Sequence, residues 1–247
     1  MGDKINFQKI NFKYINLKSR VDRKNRVDAY LKNNGIIAER FDAIKDFSNC
    51  NINFGKNYND GTKGCFLSHY NIIKEYDSNK VLGILEDDIV LCSDFTERFK
   101  YIEDNFNLDW DMFFLSSFYH LNDDKNRHHE TGDYEFSGIK YIHRTYGSFC
   151  THSYLVNPKS KEKILRLMEE NVHKSNALDH LYILIQHQLN VFAITPGITT
   201  QLGDHSDITN SMLDHTDYFT KVLGQHCYVD KLSEFNYDEY FKYKITK

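Results

Sequence analysis

The stretch VLGILEDDIVL, residues 81–91, constrains the fold of this chain more than any other part of the sequence. Its first five residues are apolar or glycine, which is typical of a strand buried on both faces of a parallel sheet. Three acids, Glu86, Asp87 and Asp88, follow directly, although an unpaired carboxylate away from water is very costly. In α/β sheets, ligands bind beyond the carboxyl ends of strands. The stretch therefore predicts a buried strand that ends at a ligand site.

The rest of the sequence alternates between strand-like and helix-like segments. Gly35 fits the end of a first helix, Asp94 with Glu97 fits a capping box, and Pro158 suits the first turn of a later helix. No repeat, low-complexity tract or linker interrupts the pattern, so we predict one α/β domain with a mostly parallel central sheet. The predicted strands are 10–17, 39–44, 81–85, 112–115 and 191–195, and the predicted helices are 22–34, 62–76, 94–105, one from 158 and one from about 175.

The acid triplet has two interpretations. Side chains alternate faces along an extended segment, so Glu86 and Asp88 are expected to point one way and Asp87 the other. Two carboxylates on one face suit a hard cation such as Mg²⁺ or Mn²⁺, which would in turn hold a diphosphate. In the alternative interpretation, the acids merely end the strand and face solvent.

Composition and charge argue against several classes of protein. The net charge of −4 gives no overall attraction to nucleic acid or to an anionic membrane, and no apolar run approaches the roughly 20 residues of a membrane span. No P-loop or GxGxxG motif is present, which argues against kinases and dinucleotide enzymes. The five Cys are scattered without a CxxC pair, and the opening MGDKINFQKINF lacks an apolar signal core. We therefore expect free thiols and a cytoplasmic location.

Seven stretches together resemble glycosyltransferase family 25, over about residues 10–210. Each stretch alone is weak evidence for the family, whereas the order and spacing of all seven are specific to it. Ser153 stands where the family usually has Ala before the tyrosine, and the residues from about Asp214 onward match no pattern. The stretches are YINLKSRVDR (14–23), GTKGCFLSHYNIIKEY (61–76), VLGILEDDIVL (81–91), LDWDMFFLSS (108–117), YGSFCTHSYLVNPKS (146–160), NALDHLYI (176–183) and QLGDHSDI (201–208).

The resemblance implies a GT-A fold that binds a nucleotide sugar and a metal. The family includes lipooligosaccharide galactosyltransferases of bacteria and procollagen galactosyltransferases of animals, and its members most often transfer galactose from UDP-galactose with inversion. We therefore expect a hexosyltransferase that uses Mn²⁺ or Mg²⁺ and a UDP-sugar donor, with galactose favoured over glucose or N-acetylglucosamine. The expected acceptor is a hydroxyl of a glycan or of a collagen-like hydroxylysine. Residues 1–213 are expected to form the transferase domain, and residues 214–247 an extension docked on it.

Two other functional hypotheses stay open. A metal-dependent phosphoesterase would also use clustered acids, although typically with two metals and more histidine ligands. A catalytically inactive, nucleotide-binding relative of the transferases is the second alternative.

The predicted donor-binding residues follow the first strand or lie in the second helix. Arg23 is expected to hold phosphate through its rigid guanidinium fork, with solvated helix surface as the alternative. Gly64 permits close backbone approach, and His69 would bind a ribose hydroxyl or a carboxylate, unless it is a satisfied core histidine. Cys65 is interpreted as packing. The donor-binding set is Asn16, Leu17, Arg20, Arg23, Gly64, Ser68, His69, Glu86 and Asp87.

Metal ligation is assigned to Glu86, Asp88 and His205. His205 lies in DHSD, residues 204–207, after the last predicted strand, and many GT-A enzymes place a ligating histidine in this part of the chain. An imidazole with carboxylates suits Mn²⁺ better than Mg²⁺. The alternative is a loop cluster satisfied by water.

Asp179 is the predicted general base. Inverting transfer needs a carboxylate that takes the acceptor's proton, and Asp179 lies in the first turn of a helix, where the dipole favours the ionised form. Asp111 and Asp207 are the other candidates for this role, although Asp111 could equally bind sugar hydroxyls or cap a turn. The polar stretch around His128, His129 and Glu130 is predicted to be a surface loop.

Overall fold

A computed structural model describes most of the chain. The loop predicted around His128, His129 and Glu130 lies outside the described residues, as do most residues of the predicted C-terminal extension. The described residues are 4–48, 50–116, 134–149, 151–208, 211–213 and 228–237.

One large sheet forms the centre of the domain. Its eight strands have the order β2-β1-β3-β8-β5-β9-β7-β6, while β4 pairs with β10 and β11 with β12. The strands in the described part of the chain are β1 (Asn11–Asn16), β2 (Ala38–Asp42), β3 (Leu82–Glu86), β4 (Ile89–Leu91), β5 (Met112–Phe114), β6 (Tyr134–Ile139), β7 (Ile142–Thr145), β8 (Ser153–Val156), β9 (Val191–Ile194), β10 (Thr199–Gln201), β11 (Asp204–Ser206) and β12 (Ser211–Leu213).

The strand directions confirm the predicted α/β fold class with a mostly parallel sheet. Strands β2, β1, β3, β5, β9 and β6 run one way, and β8 and β7 run the other. Ile15 of β1 is paired with Glu86 of β3, so the carboxyl ends of these two strands meet at one edge. Because β8 is antiparallel to β3, the residues just before Ser153 reach the same edge.

Helices cover both faces of the sheet and produce two hydrophobic cores. Helices α2, α4 and α5 contribute to one core, and α1 and α3 to the other. In β5, Met112 and Phe114 point into the first core and Phe113 into the second, which explains why a strand buried on both faces reads as an unbroken apolar run. The helices are α1 (Val21–Asn33), α2 (Asp60–Glu75), α3 (Phe95–Asn105), α4 (Lys161–Asn171) and α5 (Leu178–Gln186).

Two predicted helix boundaries have different outcomes. Gly35 follows α1 with φ of 71°, and the Ile36 amide donates to the Leu31 carbonyl at 2.9 Å, as in a glycine-terminated helix. The prediction of a capping box at Asp94 is wrong, because the Asp94 side chain makes no cap hydrogen bond. Its carboxylate instead accepts from Nε of Arg98 at 2.8 Å and from a backbone amide of the C-terminal segment.

The described C-terminal residues 228–237 lie against the start of α3. The buried Arg98 guanidinium donates to the Val229 carbonyl at 2.8 Å, and the Ser93 amide donates to Asp230 at 2.9 Å. The larger extension, 214–247, stays a prediction. Within the described ranges, no helix combines the length and the apolar character that crossing a membrane requires.

Candidate active site

A cavity of about 770 Å³ opens at the edge where β1 and β3 end. This volume lies within the range of about 300–1,000 Å³ that is usual for small-molecule sites. Its walls also include residues 43–45 after β2, residues 151–152 before β8, the start of α5 and residues 206–208. The predicted site residues that line it are Asn16, Leu17, Arg23, Gly64, Ser68, His69, Glu86, Asp87, Asp88, Asp179 and Asp207.

Asp87 is neutralised within the protein. Strand β3 ends at Glu86, and Asp87 and Asp88 form a turn before β4, so the strict alternation of an extended strand does not continue through the triplet. The carboxylate of Asp87 accepts from Nη1 of Arg23 at 2.9 Å and from Nδ2 of Asn16 at 2.7 Å. Arg23 and Asn16 therefore hold Asp87, in addition to any contact with a ligand.

Glu86 and Asp88 have no ion-pair partner of the Lys or Arg type among the described residues, so their ionised forms are disfavoured. Burial, with the neighbouring carboxylates, raises the pKa of Glu86 to about 8 and that of Asp88 to about 7. Glu86 accepts from Oγ1 of Thr151 at 3.4 Å, and the Asp88 carboxylate faces Nε2 of Gln201 at 3.4 Å. Among the described residues, neither acid forms an ion pair with Lys or Arg. Two such carboxylates in one cavity are a suitable donor set for a hard divalent cation.

Helix α2 positions one wall of the cavity. A Cβ atom at Gly64 would meet the Ile44 carbonyl oxygen at 2.5 Å, so only glycine allows this approach. The Ser68 hydroxyl accepts from the Ile44 amide at 2.9 Å and donates to the Gly64 carbonyl at 2.6 Å. Gly64 and Ser68 thereby hold the loop after β2 against the helix, and this loop lines the cavity.

His69 is a buried, neutral imidazole at the cavity floor. Its side chain is 1% exposed, and burial lowers its pKa to about 3. Its Nδ1 lies 2.9 Å from the Tyr154 hydroxyl, and its Nε2 lies 3.5 Å from Oε1 of Glu86. His69 thus contacts both the core and the acid cluster.

Asp179 lies in the first turn of α5 and faces the same cavity. Its Oδ1 accepts from the Thr151 amide at 3.1 Å. Burial raises the pKa of Asp179 in spite of this hydrogen bond, so desolvation outweighs the helix dipole that was expected to lower it. A carboxylate with a raised pKa is a stronger base, which suits proton transfer near neutral pH.

Arg20 and His205 are not among the residues that line the cavity. Arg20 forms ion pairs with Asp22 at 2.9 Å and with Asp207 at 2.6 Å. The His205 carbonyl accepts from Nη2 of Arg23 at 2.6 Å. The role of Arg20 at phosphate and that of His205 at the metal stay predictions.

Asp111 lies at the opposite edge of the sheet, because it precedes β5. Its carboxylate accepts from the Ser160 hydroxyl at 2.5 Å, from the Lys163 ammonium at 2.8 Å and from the Asn190 amide at 2.7 Å. These partners outweigh the effect of burial and hold the pKa of Asp111 below its usual range. The structure therefore does not bring Asp111 to the cavity. The three hydrogen bonds of Asp111 suit a structural role.

Several cavity residues were missed in the sequence. Thr151 and Gln201 contact the predicted acids, but no periodic pattern marks them, because β8 and β10 bring them there from distant parts of the chain. Cys65 lies beside His69 and Glu86, with one potential ligand atom of each within 4.8 Å of the others. The C-x₃-H spacing in the sequence was a signal for this pair, since residues four apart share a helix face.

The fold and the cavity together define an α/β domain with an acidic ligand site at the carboxyl ends of its strands. The sequence pattern of "Glycosyltransferase family 25 (LPS biosynthesis protein)" matches residues 10–182. The chain belongs to glycosyltransferase family 25 and is thereby classed among the glycosyltransferases, which confirms the resemblance seen in the sequence.

Two curated relatives come from Xenopus laevis. They are procollagen galactosyltransferase 1-B and procollagen galactosyltransferase 1-A, each 27% identical to this chain over 184 residues. The match covers 66% of this chain and 29% of each relative. The chain therefore spans less than a third of the length of these relatives.

Two solved structures resemble this chain weakly over most of its length. A glycosyltransferase involved in glycosylation of the major capsid of PBCV-1 has a TM-score of 0.48 and 7% identity, over 80% of this chain and 94% of that one. Mouse xyloside xylosyltransferase 1 in its apo form has a TM-score of 0.40 and 12% identity, over 76% and 72%.

Proposed function

We propose that this protein transfers a hexose, with galactose favoured, from a UDP-sugar to a hydroxyl of a glycan or of a collagen-like hydroxylysine. The observation that carries the proposal is the pairing of Glu86 and Asp88 with Asp179 in one cavity at the carboxyl edge of the sheet. Membership of family 25 supports a glycosyltransferase activity. The names of the Xenopus relatives support galactose as the sugar and collagen as one acceptor class.

The nucleotide is assigned to the wall formed by the ends of β1 and β2. Asn16, Leu17 and the loop of residues 43–45 line this wall, and they offer backbone groups and apolar surface to a base and a ribose. Gly64 and Ser68 fix the loop, so they would act on donor affinity through its position. Lys45 lines the same wall and supplies a positive charge for a phosphate.

Glu86 and Asp88 are the residues that would hold a divalent ion, with Mn²⁺ or Mg²⁺ as the candidates. When bound, such an ion stabilises the negative charge that develops on a leaving diphosphate. Arg23 neutralises Asp87, so that the third acid does not add its repulsion to the diphosphate. His205 stays a proposed further ligand.

Asp179 would take the proton of the attacking acceptor hydroxyl. The Thr151 amide donates to one carboxylate oxygen and thereby orients the Asp179 side chain. Thr151 also contacts Glu86 through its hydroxyl, so a single residue sets the spacing between the proposed base and the proposed metal ligand.

A screen of UDP-sugars by thermal unfolding, with and without Mn²⁺, tests the proposal. A ligand that binds only the folded state raises the melting temperature, so the correct donor should raise it only when metal is present. Release of UDP in the presence of a galactose-accepting glycan or a hydroxylysine peptide then tests turnover. The proposal fails if no UDP-sugar binds and the protein instead hydrolyses a simple phosphodiester.

A further inference from the structure

Cys65 and His69 form a cluster with Glu86, and the proposed transfer reaction gives a role only to Glu86. One potential metal-ligand atom from each residue lies within 4.8 Å of those of the other two. Cys65 and His69 are four residues apart in α2, so both project from one face of the helix. Glu86 comes from the end of β3. All three line the cavity, so an ion has a path to them.

The distance between His69 and Glu86 fits shared metal ligation better than a hydrogen bond. Nε2 of His69 lies 3.5 Å from Oε1 of Glu86, beyond the usual N–H···O range of about 2.7–3.2 Å. On a tetrahedral Zn²⁺ ion, bond lengths of about 2.0–2.2 Å place a ligating nitrogen and oxygen about 3.3–3.5 Å from each other. The two atoms therefore already have the spacing of two ligands of one ion.

The other ring nitrogen of His69 has the partner that a ligating histidine needs. Nδ1 lies 2.9 Å from the Tyr154 hydroxyl, which lies 2.9 Å from the Tyr182 hydroxyl. With Nδ1 donating to Tyr154 and Tyr154 donating to Tyr182, the lone pair of Nε2 faces Glu86. Metal-bound histidines are typically oriented by such a contact at the second nitrogen. The buried tyrosines thus orient the ring so that Nε2 faces Glu86.

We propose that Cys65, His69 and Glu86 bind a thiophilic divalent transition ion, with Zn²⁺ as its representative, and leave a fourth coordination position open to the cavity. Thiolate and imidazole ligands favour Zn²⁺ over hard ions such as Mg²⁺. On binding, the Cys65 thiol and any protonated Glu86 carboxyl release their protons to solvent, and the resulting thiolate and carboxylate balance the charge of the ion. This site differs from the Glu86–Asp88 pair in its sulfur and nitrogen ligands.

The two sites share Glu86, so an ion at one site competes with an ion at the other for this carboxylate. Zn²⁺ on Cys65 and His69 engages the carboxylate that the donor-site ion needs, and it would therefore inhibit metal-dependent UDP binding. This regulatory consequence rests on the proposed function, whereas the Zn²⁺ site itself does not.

Titration of the full chain with Co²⁺, without any nucleotide, tests the site. Co²⁺ replaces Zn²⁺ in such sites and gives a thiolate-to-cobalt charge-transfer band. We expect the band in the wild type and in Cys50→Ser, whose thiol is also partly buried. We expect its loss in Cys65→Ser and at least a tenfold weaker Co²⁺ affinity in His69→Gln. A wild type without the band, or a Cys65→Ser protein with the full band, overturns the site.

X-ray absorption of the Zn²⁺-loaded wild type gives a test that needs no variant. A sulfur neighbour at about 2.3 Å from zinc supports the site, and a shell of only nitrogen and oxygen overturns it. Circular dichroism and thermal unfolding show whether Cys65→Ser is folded. If Cys65→Ser does not fold, the X-ray absorption spectrum of the Zn²⁺-loaded wild type alone decides whether the site exists.

Competition between the ions separates this inference from the proposed function. Preloading with one equivalent of Zn²⁺ should abolish Mn²⁺-dependent UDP binding in the wild type, and should not do so in Cys65→Ser. Zn²⁺ binding without any effect on UDP would show that Glu86 is not shared. If zinc-free protein does not bind UDP in the presence of Mn²⁺, the proposed function fails. The Co²⁺ titration and the X-ray absorption spectrum then still show whether Cys65, His69 and Glu86 bind an ion.

Discussion

At the scale of single residues, three adjacent acids have two kinds of environment. Asp87 is held by Arg23 and Asn16, whereas Glu86 and Asp88 face the cavity with raised pKa values. Desolvation without a cationic partner accounts for the difference, because it disfavours the charged form of a carboxylate. The same charge that is costly in the metal-free protein becomes useful when a cation binds.

Asp88→Asn should abolish Mn²⁺-dependent UDP binding while the fold survives. The substitution keeps the shape of the side chain but removes an anionic ligand, so we expect Mn²⁺ affinity to fall at least tenfold. Calorimetric titration of UDP with and without Mn²⁺ measures the change. Asp104→Asn, an exposed acid on α3 that pairs with Lys100, is the matched control. Unchanged metal-dependent UDP affinity in Asp88→Asn would show that Asp88 is not a ligand.

Asp179→Asn should separate catalysis from donor binding. The amide oxygen still accepts from the Thr151 amide, but the side chain no longer takes up a proton near neutral pH. UDP-sugar affinity should stay close to that of the wild type, and transfer should fall by roughly 10²–10⁴-fold, as for other positioned bases. Paired calorimetry and UDP-release assays measure both. Loss of donor binding would instead place Asp179 in the donor site, and full transfer would move the search for the base to Asp207.

At the scale of elements, α2 connects the core to the site. Its N-terminus is capped reciprocally by Asn59 and Thr62, and its buried face packs against α4 and α5 in one core. One turn of the same helix holds the loop after β2 through Gly64 and Ser68. The position of the loop therefore depends on the position of this helix.

Gly64→Ala should destabilise the protein and weaken donor binding together. An added Cβ would meet the Ile44 carbonyl oxygen at 2.5 Å, so the loop must move. Overpacking of this kind costs about 1–3 kcal/mol, although alanine normally stabilises a helix relative to glycine. Urea unfolding and UDP titration measure the two effects. Lys63→Ala, next in the same helix, is the control, and a Gly64→Ala protein more stable than the wild type would contradict the packing argument.

At the scale of the whole molecule, the acidic cavity links stability to pH. Glu86 and Asp88 have folded-state pKa values of about 8 and about 7, against ordinary values of 4.5 and 3.8. A raised carboxylate pKa means that the folded state holds more protons than the unfolded state over this interval, so stability falls as pH rises. Burial lowers the pKa of His69 to about 3, against an ordinary value of 6.5. Below pH 6.5 the unfolded state therefore binds more protons at this residue, so His69 makes stability rise with pH there. Above pH 6.5 His69 has no effect on the slope.

The metal-free protein should therefore lose stability between about pH 6.5 and pH 8.5, where Glu86 and Asp88 ionise and His69 is neutral in both states. Urea unfolding in the presence of a chelator at several pH values measures this slope. The double variant Glu86→Gln, Asp88→Asn should flatten it. Mn²⁺ should stabilise the wild type more at pH 8.5 than at pH 6.5, since fewer protons then compete for the ligands. An equal slope in the wild type and the double variant would contradict the assignment.

The sequence by itself determined the α/β class, the helices α1–α5 and the five strands β1, β2, β3, β5 and β9, because their signals are local. Apolar runs, the glycine after α1 and the proline before α4 depend only on neighbouring residues. Seven strands of the described part of the chain were not predicted, namely β4, β6, β7, β8, β10, β11 and β12. Strand β8 lies in the middle of the large sheet and pairs with β3 and β5 from distant parts of the chain, and β4 likewise pairs with the distant β10. Asp94 shows the same limit, because tertiary contacts with Arg98 and the C-terminal segment override its local capping pattern.

For the site, the sequence located the acids at the end of β3 and Asp179 at the start of α5, since position along an element is a local property. Only the tertiary structure decided which acids have partners, because Arg23, Thr151 and Gln201 reach them from separate elements. It also placed Asp111 at the far edge of the sheet, where its neighbours tie it to the backbone. Charge balance and desolvation depend on every group within a few ångströms, and a linear pattern does not contain that information.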